Sequence, residues 1–141
     1  MFKKIFMPVD GTENSEKVVN YVKELAKKFD SEIIIFNAQL PIQNVIFTTN
    51  SSIFASTYYT PEEIAQKIVD TVSKQFDSSF KVRTDIVIGD PASTILEFSE
   101  KHKADCIVIC THGLNATKRF LLGSVTNKVV NYAKIPVLVI R

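Results

Sequence analysis

Five short apolar runs constrain the fold of this chain more than any other feature of its sequence. They occupy residues 5–9, 33–38, 82–88, Cys106–Cys110 and Val137–Ile140. Four of the runs are almost continuously apolar, which is typical of strands buried on both faces of a parallel sheet. The run at 82–88 alternates apolar with polar residues over much of its length, which predicts a half-exposed strand nearer an edge.

Amphipathic helical patterns separate the apolar runs. Pro61, followed by two acidic residues, opens the second helix, and Asp90 is the expected N-cap of the third. The fourth helix begins near Ser124 and ends before Pro136. The element order is therefore β-α-β-α-β-α-β-α-β. This alternation predicts one doubly wound α/β domain over residues 1–141, with a parallel sheet and helices on both faces.

Composition narrows the classes of function. The chain has 17 basic and 15 acidic residues, and the basic ones are scattered, which argues against nucleic acid as a main partner. No run of about 18 apolar residues occurs, so no membrane span is expected. The N-terminus lacks a signal-peptide pattern, and we expect a cytoplasmic protein. Cys106 and Cys110 lie in an apolar run, so we expect buried, reduced thiols. Their spacing is not that of a redox pair.

The stretch from residue 39 to residue 60 does not fit a simple connector. It contains no charged residue, although it carries several aromatic and aliphatic ones. Connections in such domains are usually a few residues long, and exposed apolar patches are rare in monomers. We therefore interpret residues 39–60 as a functional loop or as a surface for a protein partner.

The residues after each strand point to a ligand site. In open α/β sheets, ligands bind beyond the carboxyl ends of the strands, where the strand order reverses. Asp10 follows the first strand, and Gly123-Ser124 opens the last helix, whose free N–H groups can bind phosphate. The alternative is that Ser124 only caps that helix. The sequence contains neither a P-loop lysine after Gly123 nor a G-x-G-x-x-G motif.

Taken together, several of these motifs resemble the universal stress protein family. Residues 3–10 (Lys-Lys-Ile-Phe-Met-Pro-Val-Asp) are similar to its first strand, and the resemblance extends to the closing residues 136–139. Gly113, nine further residues and then Gly123-Ser124 match most of the G-x2-G-x9-G-S/T motif of the ATP-binding branch. Cys110 stands where that motif has its first glycine. The resemblance covers the whole chain, and we expect its five-stranded sheet to have the order 3-2-1-4-5.

The resemblance also implies a ligand and the residues around it. The ligand would be ATP, with AMP or ADP as alternatives, and Mg²⁺ would accompany the nucleotide. The residues at the site would be Pro8, Val9, Asp10, Ala38, Ile109, Cys110, His112, Gly113, Gly123, Ser124, Val125 and Thr126.

Within that set, the resemblance implies different roles. Pro8, Ala38 and Ile109 would line the adenine slot, and Gly113 with residues 123–126 would surround the phosphates. Asp10 would hydrogen-bond the ribose or help to hold a metal–phosphate group. The last strand, Val137–Ile140, would pair with its copy in a second subunit to form a homodimer.

Two classes of function remain open from the sequence. The first is a nucleotide-binding stress-response or regulatory protein without dedicated catalytic machinery. A weak ATPase activity would be compatible with this class. His112 is the one histidine near the crevice, and no obvious second carboxylate joins Asp10 as a catalytic pair. The alternative is a dimeric interaction module that binds no nucleotide and works through residues 39–60. Cys110 favours that alternative, because a side chain there could crowd the ligand.

Overall fold

The computed structural model describes residues 1–12, 14–41, 59–111 and 122–141. The strands are β1 (Lys4–Pro8), β2 (Glu32–Gln39), β3 (Lys81–Ile88), β4 (Cys106–Cys110) and β5 (Val137–Ile140). The helices are α1 (Asn14–Phe29), α2 (Pro61–Ser73), α3 (Pro91–Lys101) and α4 (Ser124–Tyr132). All strand pairs are parallel and the order is β3-β2-β1-β4-β5, which confirms the predicted doubly wound fold.

Capping residues set the starts of two helices. Thr60 and Glu63 form a reciprocal capping box in which each side chain accepts a hydrogen bond from the other residue's backbone N–H, with Pro61 in the first turn of α2. Asp90 caps α3, as predicted, by accepting a hydrogen bond of 2.9 Å from the Ser93 N–H. The backbone and hydroxyl hydrogen bonds from Ser93 hold the pKa of Asp90 below its usual value.

The sheet separates two hydrophobic layers because alternate strand residues point to opposite faces. The α1-side core contains Ile5, Met7 and Ile35 and packs against α1 and α2. The α3-side core contains Phe6 and Phe36, whose ring centroids lie 5.0 Å apart, and packs against α3 and α4. Both layers reach the carboxyl edge of the sheet, where residues from the two faces line one cavity.

The two edge strands differ in exposure. Most residues of β3 are exposed or half-buried, as the alternating pattern predicted for a strand near an edge. At the opposite edge β5 pairs with β4, and Leu138 remains 38% exposed. In the described part of the chain, no helix combines the length and the hydropathy that crossing a bilayer requires.

Phe6 provides a test of the α3-side core. Its side chain is fully buried, so Phe6→Ala would leave a cavity and should lower the free energy of unfolding by about 3–5 kcal/mol, measured by urea denaturation. The control is Tyr132→Ala, at a side chain that is 70% exposed, and it should change stability by less than about 0.5 kcal/mol. Equal losses in the two variants would contradict this assignment of the core.

Candidate ligand-binding site at the strand-order reversal

A cavity of about 460 Å³ opens at the carboxyl edge of the sheet, where β1 has β2 on one side and β4 on the other. This volume lies within the usual range for small-molecule sites. Ten of the predicted site residues line it: Pro8, Val9, Asp10, Ala38, Ile109, Cys110, Gly123, Ser124, Val125 and Thr126. The other two, His112 and Gly113, lie outside the described residues. The structure therefore brings together, from four separate segments, every predicted residue that it describes.

The α3 side of the cavity is apolar. Phe36, Ile95 and Ile109 are members of the α3-side core that also line the cavity, and half-buried Ala38 and Val125 extend the same surface. Flat apolar ligand groups bind such surfaces through their area, while a few polar groups fix their orientation. This part of the cavity suits an aromatic ring system.

The polar groups beside this surface come from the main chain of β2. Val9 N–H donates to the Phe36 carbonyl, and Gly89 N–H donates to the Gln39 carbonyl, each at 2.8 Å. Backbone groups in a parallel strand alternate sides, so Phe36 faces β1 and Gln39 faces β3. The N–H and C=O of Ala38 must therefore face the β1 side, beyond the residue at which that strand ends. They offer an adjacent donor and acceptor to a ligand in the cavity.

The first turn of α4 supplies a site for an anion. Gly123 occupies the N-cap position, and no side-chain cap satisfies the helix there. Gly123 N–H donates to the carbonyl of Thr111, which follows β4, at 2.7 Å. The helical hydrogen bonds of α4 begin with the one from Asn127 N–H to the Gly123 carbonyl. In the described part of the chain, the N–H groups of Ser124, Val125 and Thr126 have no backbone acceptor. Such free N–H groups at the positive end of a helix favour a phosphate.

Thr126, which was expected among the residues around the phosphates, uses its hydroxyl within the protein. It is 4% exposed, and its Oγ1 donates to the Cys110 carbonyl at 2.7 Å. The hydroxyl proton therefore ties the start of α4 to the end of β4 and is not free for a ligand. Ser124, at the same helix start, is exposed and lines the cavity.

The two cysteines occupy different environments. Cys106 is fully buried, and burial, reinforced by the nearby Asp105 carboxylate, raises the pKa of its thiol to about 11. The expectation that Cys110 is buried was wrong, because it ends β4 half-buried and lines the cavity. Strand alternation turns its side chain toward the α1-side core, on the opposite face from Ile109. The thiol therefore leaves the apolar side of the cavity open.

Asp10 is the one charged side chain among the described residues that line the cavity. It is exposed, and its Oδ1 accepts from Thr12 N–H at 3.0 Å and from Thr12 Oγ1 at 2.7 Å. Gly11, between them, has a φ of +80°, which favours glycine at this turn. Because one carboxylate oxygen holds the turn, the other is left for a ligand hydroxyl or a ligand-bound cation.

Two polar residues of β2 line the cavity but were not among the predicted site residues. Asn37 is 2% exposed at the end of β2, and its Nδ2 donates to the Val9 carbonyl at 2.7 Å. Gln39 Nε2 in turn donates to Asn37 Oδ1 at 2.9 Å. The available signal was a polar residue inside an otherwise apolar run, since a buried amide requires partners.

A second cavity, of about 670 Å³, lies between the start of α1 and the face of α2. Its lining includes Thr12, Tyr59, Lys67 and Ile68. It is away from the carboxyl ends of β2 and β4 and receives none of the free N–H groups of α4. We place the ligand site at the strand-order reversal because the donors and the apolar surface converge there.

The fold and this cavity define a doubly wound α/β protein with a candidate ligand site at the reversal of strand order. A sequence model described as the Universal stress protein family matches residues 1–141. The chain belongs to the universal stress protein family.

Individual relatives agree with this assignment. The chain is similar to universal stress protein MJ0531 of Methanocaldococcus jannaschii, with 34% identity over 142 residues that cover 100% of this chain and 83% of that one. It is also similar to the solved structure of hypothetical protein MJ0577, with a TM-score of 0.74, 27% identity and coverage of 99% and 96%. A universal stress protein solved in complex with cAMP has the same fold, with a TM-score of 0.72, 20% identity and coverage of 99% and 97%.

Thr126→Val tests the link between α4 and the end of β4. Removing the hydroxyl leaves the Cys110 carbonyl without its donor in a partly buried place, which should cost about 1–3 kcal/mol of unfolding free energy in urea denaturation. The matched control is Thr71→Val, which removes the same kind of hydroxyl-to-backbone bond, also 2.7 Å, on the exposed face of α2. A loss at position 126 no greater than that of the control would contradict the proposed link.

Proposed function

We propose that this protein binds an adenine nucleotide in the cavity at the strand-order reversal and acts as a stress-response or regulatory protein. The observation that carries the proposal is the convergence of two complementary surfaces on one cavity. The apolar α3 side suits a base, and the uncapped start of α4 suits a phosphate. A nucleotide has both chemical groups in one molecule.

The base would lie against Ala38 and Ile109, with Pro8 at the edge of the slot. The main-chain donor and acceptor of Ala38 complement the ring nitrogen and the adjacent amino group of adenine. Guanine presents an oxo group and a ring N–H in the same places, which reverses donor and acceptor. A site built to pair one hydrogen-bonding pattern rejects the other because its buried groups would stay unpaired.

The phosphates would lie at the N–H groups of residues 124–126, and Ser124 can add its hydroxyl. Asp10 is negative, so it can approach a phosphate chain closely only if a cation lies between them. A Mg²⁺ ion carried by ATP would fit that requirement, whereas AMP or ADP would need it less. The alternative role of Asp10 is a hydrogen bond to a ribose hydroxyl.

The relative solved with cAMP supports this proposal, since it shows a nucleotide in complex with the same fold.

No dedicated catalysis is proposed. Asp10 and Cys110 are the titratable groups among the described lining residues, and no hydrogen bond joins them. We place the protein in the cytoplasm, where its two free cysteines would stay reduced.

The alternative function is an interaction module that binds no nucleotide. It depends on the segment 39–60, of which residues 42–58 lie outside the described part of the chain. The described flanks are apolar and exposed, with Leu40 at 61% and Tyr59 at 51%. A partner that covers these side chains would favour this function, and it is compatible with nucleotide binding at the sheet edge.

We also propose a homodimer through β5. An apolar edge strand exposes unpaired backbone groups, and an edge of this kind is usually covered in natural proteins. Leu138 is 38% exposed on that edge, on the sheet face opposite to α4. Pairing with a second copy of β5 would cover both the backbone edge and this side chain.

Nucleotide binding is tested by thermal unfolding with and without Mg-ATP. A ligand at one hundred times its Kd adds about 2.7 kcal/mol, which should raise Tm by roughly 5–10 °C for a domain of this size. GTP at the same concentration should give a much smaller shift. Gly123→Val combined with Ser124→Ala should abolish the shift, whereas Ser78→Ala, at an exposed serine far from the cavity, should retain it. No shift of the wild-type protein at millimolar ATP would contradict the proposal.

The dimer is tested by light scattering coupled to size-exclusion chromatography. The wild-type protein should have twice the mass of one chain, and Leu138→Lys should reduce it to a monomer because a charge would be placed at the paired edge. Ile64→Lys, at a similarly exposed residue (39%) on α2, should remain dimeric. A monomeric wild-type protein, or a dimer that survives Leu138→Lys, would rule out this interface.

A further inference from the structure

Two hydrogen-bonded amides, buried Asn37 and half-buried Gln39, lie at the end of β2 beside the residue that precedes Asp10. Asn37 is 2% exposed at the carboxyl end of β2, and both ends of its amide are bonded. Its Nδ2 donates to the Val9 carbonyl at 2.7 Å, and its Oδ1 accepts from Gln39 Nε2 at 2.9 Å. Residues 37 and 39 share one face of the strand, which allows their side chains to meet.

The chemistry of these partners fixes the orientation of both amides. A backbone carbonyl can only accept a hydrogen bond, so Asn37 must turn its NH₂ group toward Val9. Its oxygen then faces Gln39, which must present its own NH₂ group. The order of donors and acceptors along the pair is therefore set by the Val9 carbonyl.

This pair immobilises the peptide group that leads into Asp10. Val9 N–H is bonded to the Phe36 carbonyl at 2.8 Å, and the Val9 carbonyl is bonded to Asn37. Both backbone groups of Val9 are thus tied to β2. On the other side of Asp10, the carboxylate accepts two hydrogen bonds from Thr12. Asp10 is exposed to solvent, yet the chain on either side of it is held in one geometry.

We propose that Asn37 is a positioning residue, which aims the Asp10 carboxylate into the cavity so that it meets the ribose or the cation of the bound nucleotide. This inference rests on the proposed nucleotide site and adds the group that prepares it. Asn37 acts through Val9 and Asp10, because both ends of its amide are already bonded within the protein. Gln39 assists by holding the Asn37 amide in the required orientation.

The first arm of the test measures ATP affinity by titration calorimetry in a double-mutant cycle. Asn37→Ala should weaken ATP binding by about tenfold, as is typical when a group that orients a ligand-binding side chain is lost. Asp10→Asn should weaken it as well, and adding Asn37→Ala to that variant should change Kd less than about twofold, because residues acting as a unit are not additive. Full additivity would overturn the proposal, since Asn37 would then act independently of Asp10.

The second arm needs no ligand. In the free protein, Asn37→Ala should speed hydrogen exchange at the amides of Val9 and Thr12, measured by NMR, while the amide of Ile34 in the middle of β2 keeps its rate. Unchanged exchange at Val9 and Thr12 would overturn the proposal. If the wild-type protein does not bind ATP, the proposed function fails, and this arm still decides whether Asn37 orders the turn.

Three further variants keep the test decisive. Asn131→Ala is the matched control, because it removes an exposed amide that donates to the Asn127 carbonyl at 2.9 Å on α4, and neither readout should move. Asn37→Ser replaces Asn37→Ala if the latter does not fold, since a serine leaves less buried polar surface unpaired. Gln39→Ala should shift both readouts in the same direction as Asn37→Ala, by a smaller amount.

Discussion

The central position of β1 in the parallel sheet is the constraint on which the rest of this structure depends. β1 pairs with β2 on one side and with β4 on the other, so the chain winds in one direction before residue 89 and in the other direction after it. The helices then cover opposite faces, with α1 and α2 on one and α3 and α4 on the other. Connections leaving β1 and β4 must diverge, and a crevice is left between them.

The crevice combines three properties that do not arise in one element. The apolar surface comes from side chains on one face of the sheet. The main-chain donor and acceptor come from β2, which continues past the end of β1. The N–H groups of residues 124–126, which have no backbone acceptor among the described residues, come from α4, which starts without a side-chain cap. A ligand with an apolar ring, a hydrogen-bonding edge and an anionic tail is complementary to that combination, and no single one of the three would select a nucleotide.

Two side-chain hydrogen bonds hold the surrounding loops to the sheet. Thr126 fixes the start of α4 to the last carbonyl of β4, and Asn37 fixes the last carbonyl of the β1 segment to β2. Both side chains are at least nine-tenths buried, so their bonds form where water competes poorly. The ligand-facing groups of α4 and Asp10 are therefore prepared by residues whose own polar atoms are already committed to the protein.

The sequence by itself determined the element order, the parallel sheet and the residues at its carboxyl edge. Apolar runs and caps are local signals, and Asp90 at the start of α3 is one that the structure confirms. Tertiary structure decided the hydrogen-bond partners. It paired His102 Nε2 with Asp85 Oδ2 at 2.7 Å, turned Cys110 toward the α1-side core, and gave the Thr126 proton to the Cys110 carbonyl.

The physical reason for this division lies in the range of the interactions. Whether a segment becomes a strand or a helix depends on periodicity and on neighbours a few positions away, and the sequence contains that information. A hydrogen bond such as the one from Asn37 to Val9, 28 positions apart, depends on register and on the direction of each side chain after the sheet has assembled. The sequence therefore specified which residues reach the site, and only the assembled sheet decided which of their atoms remain available to a ligand.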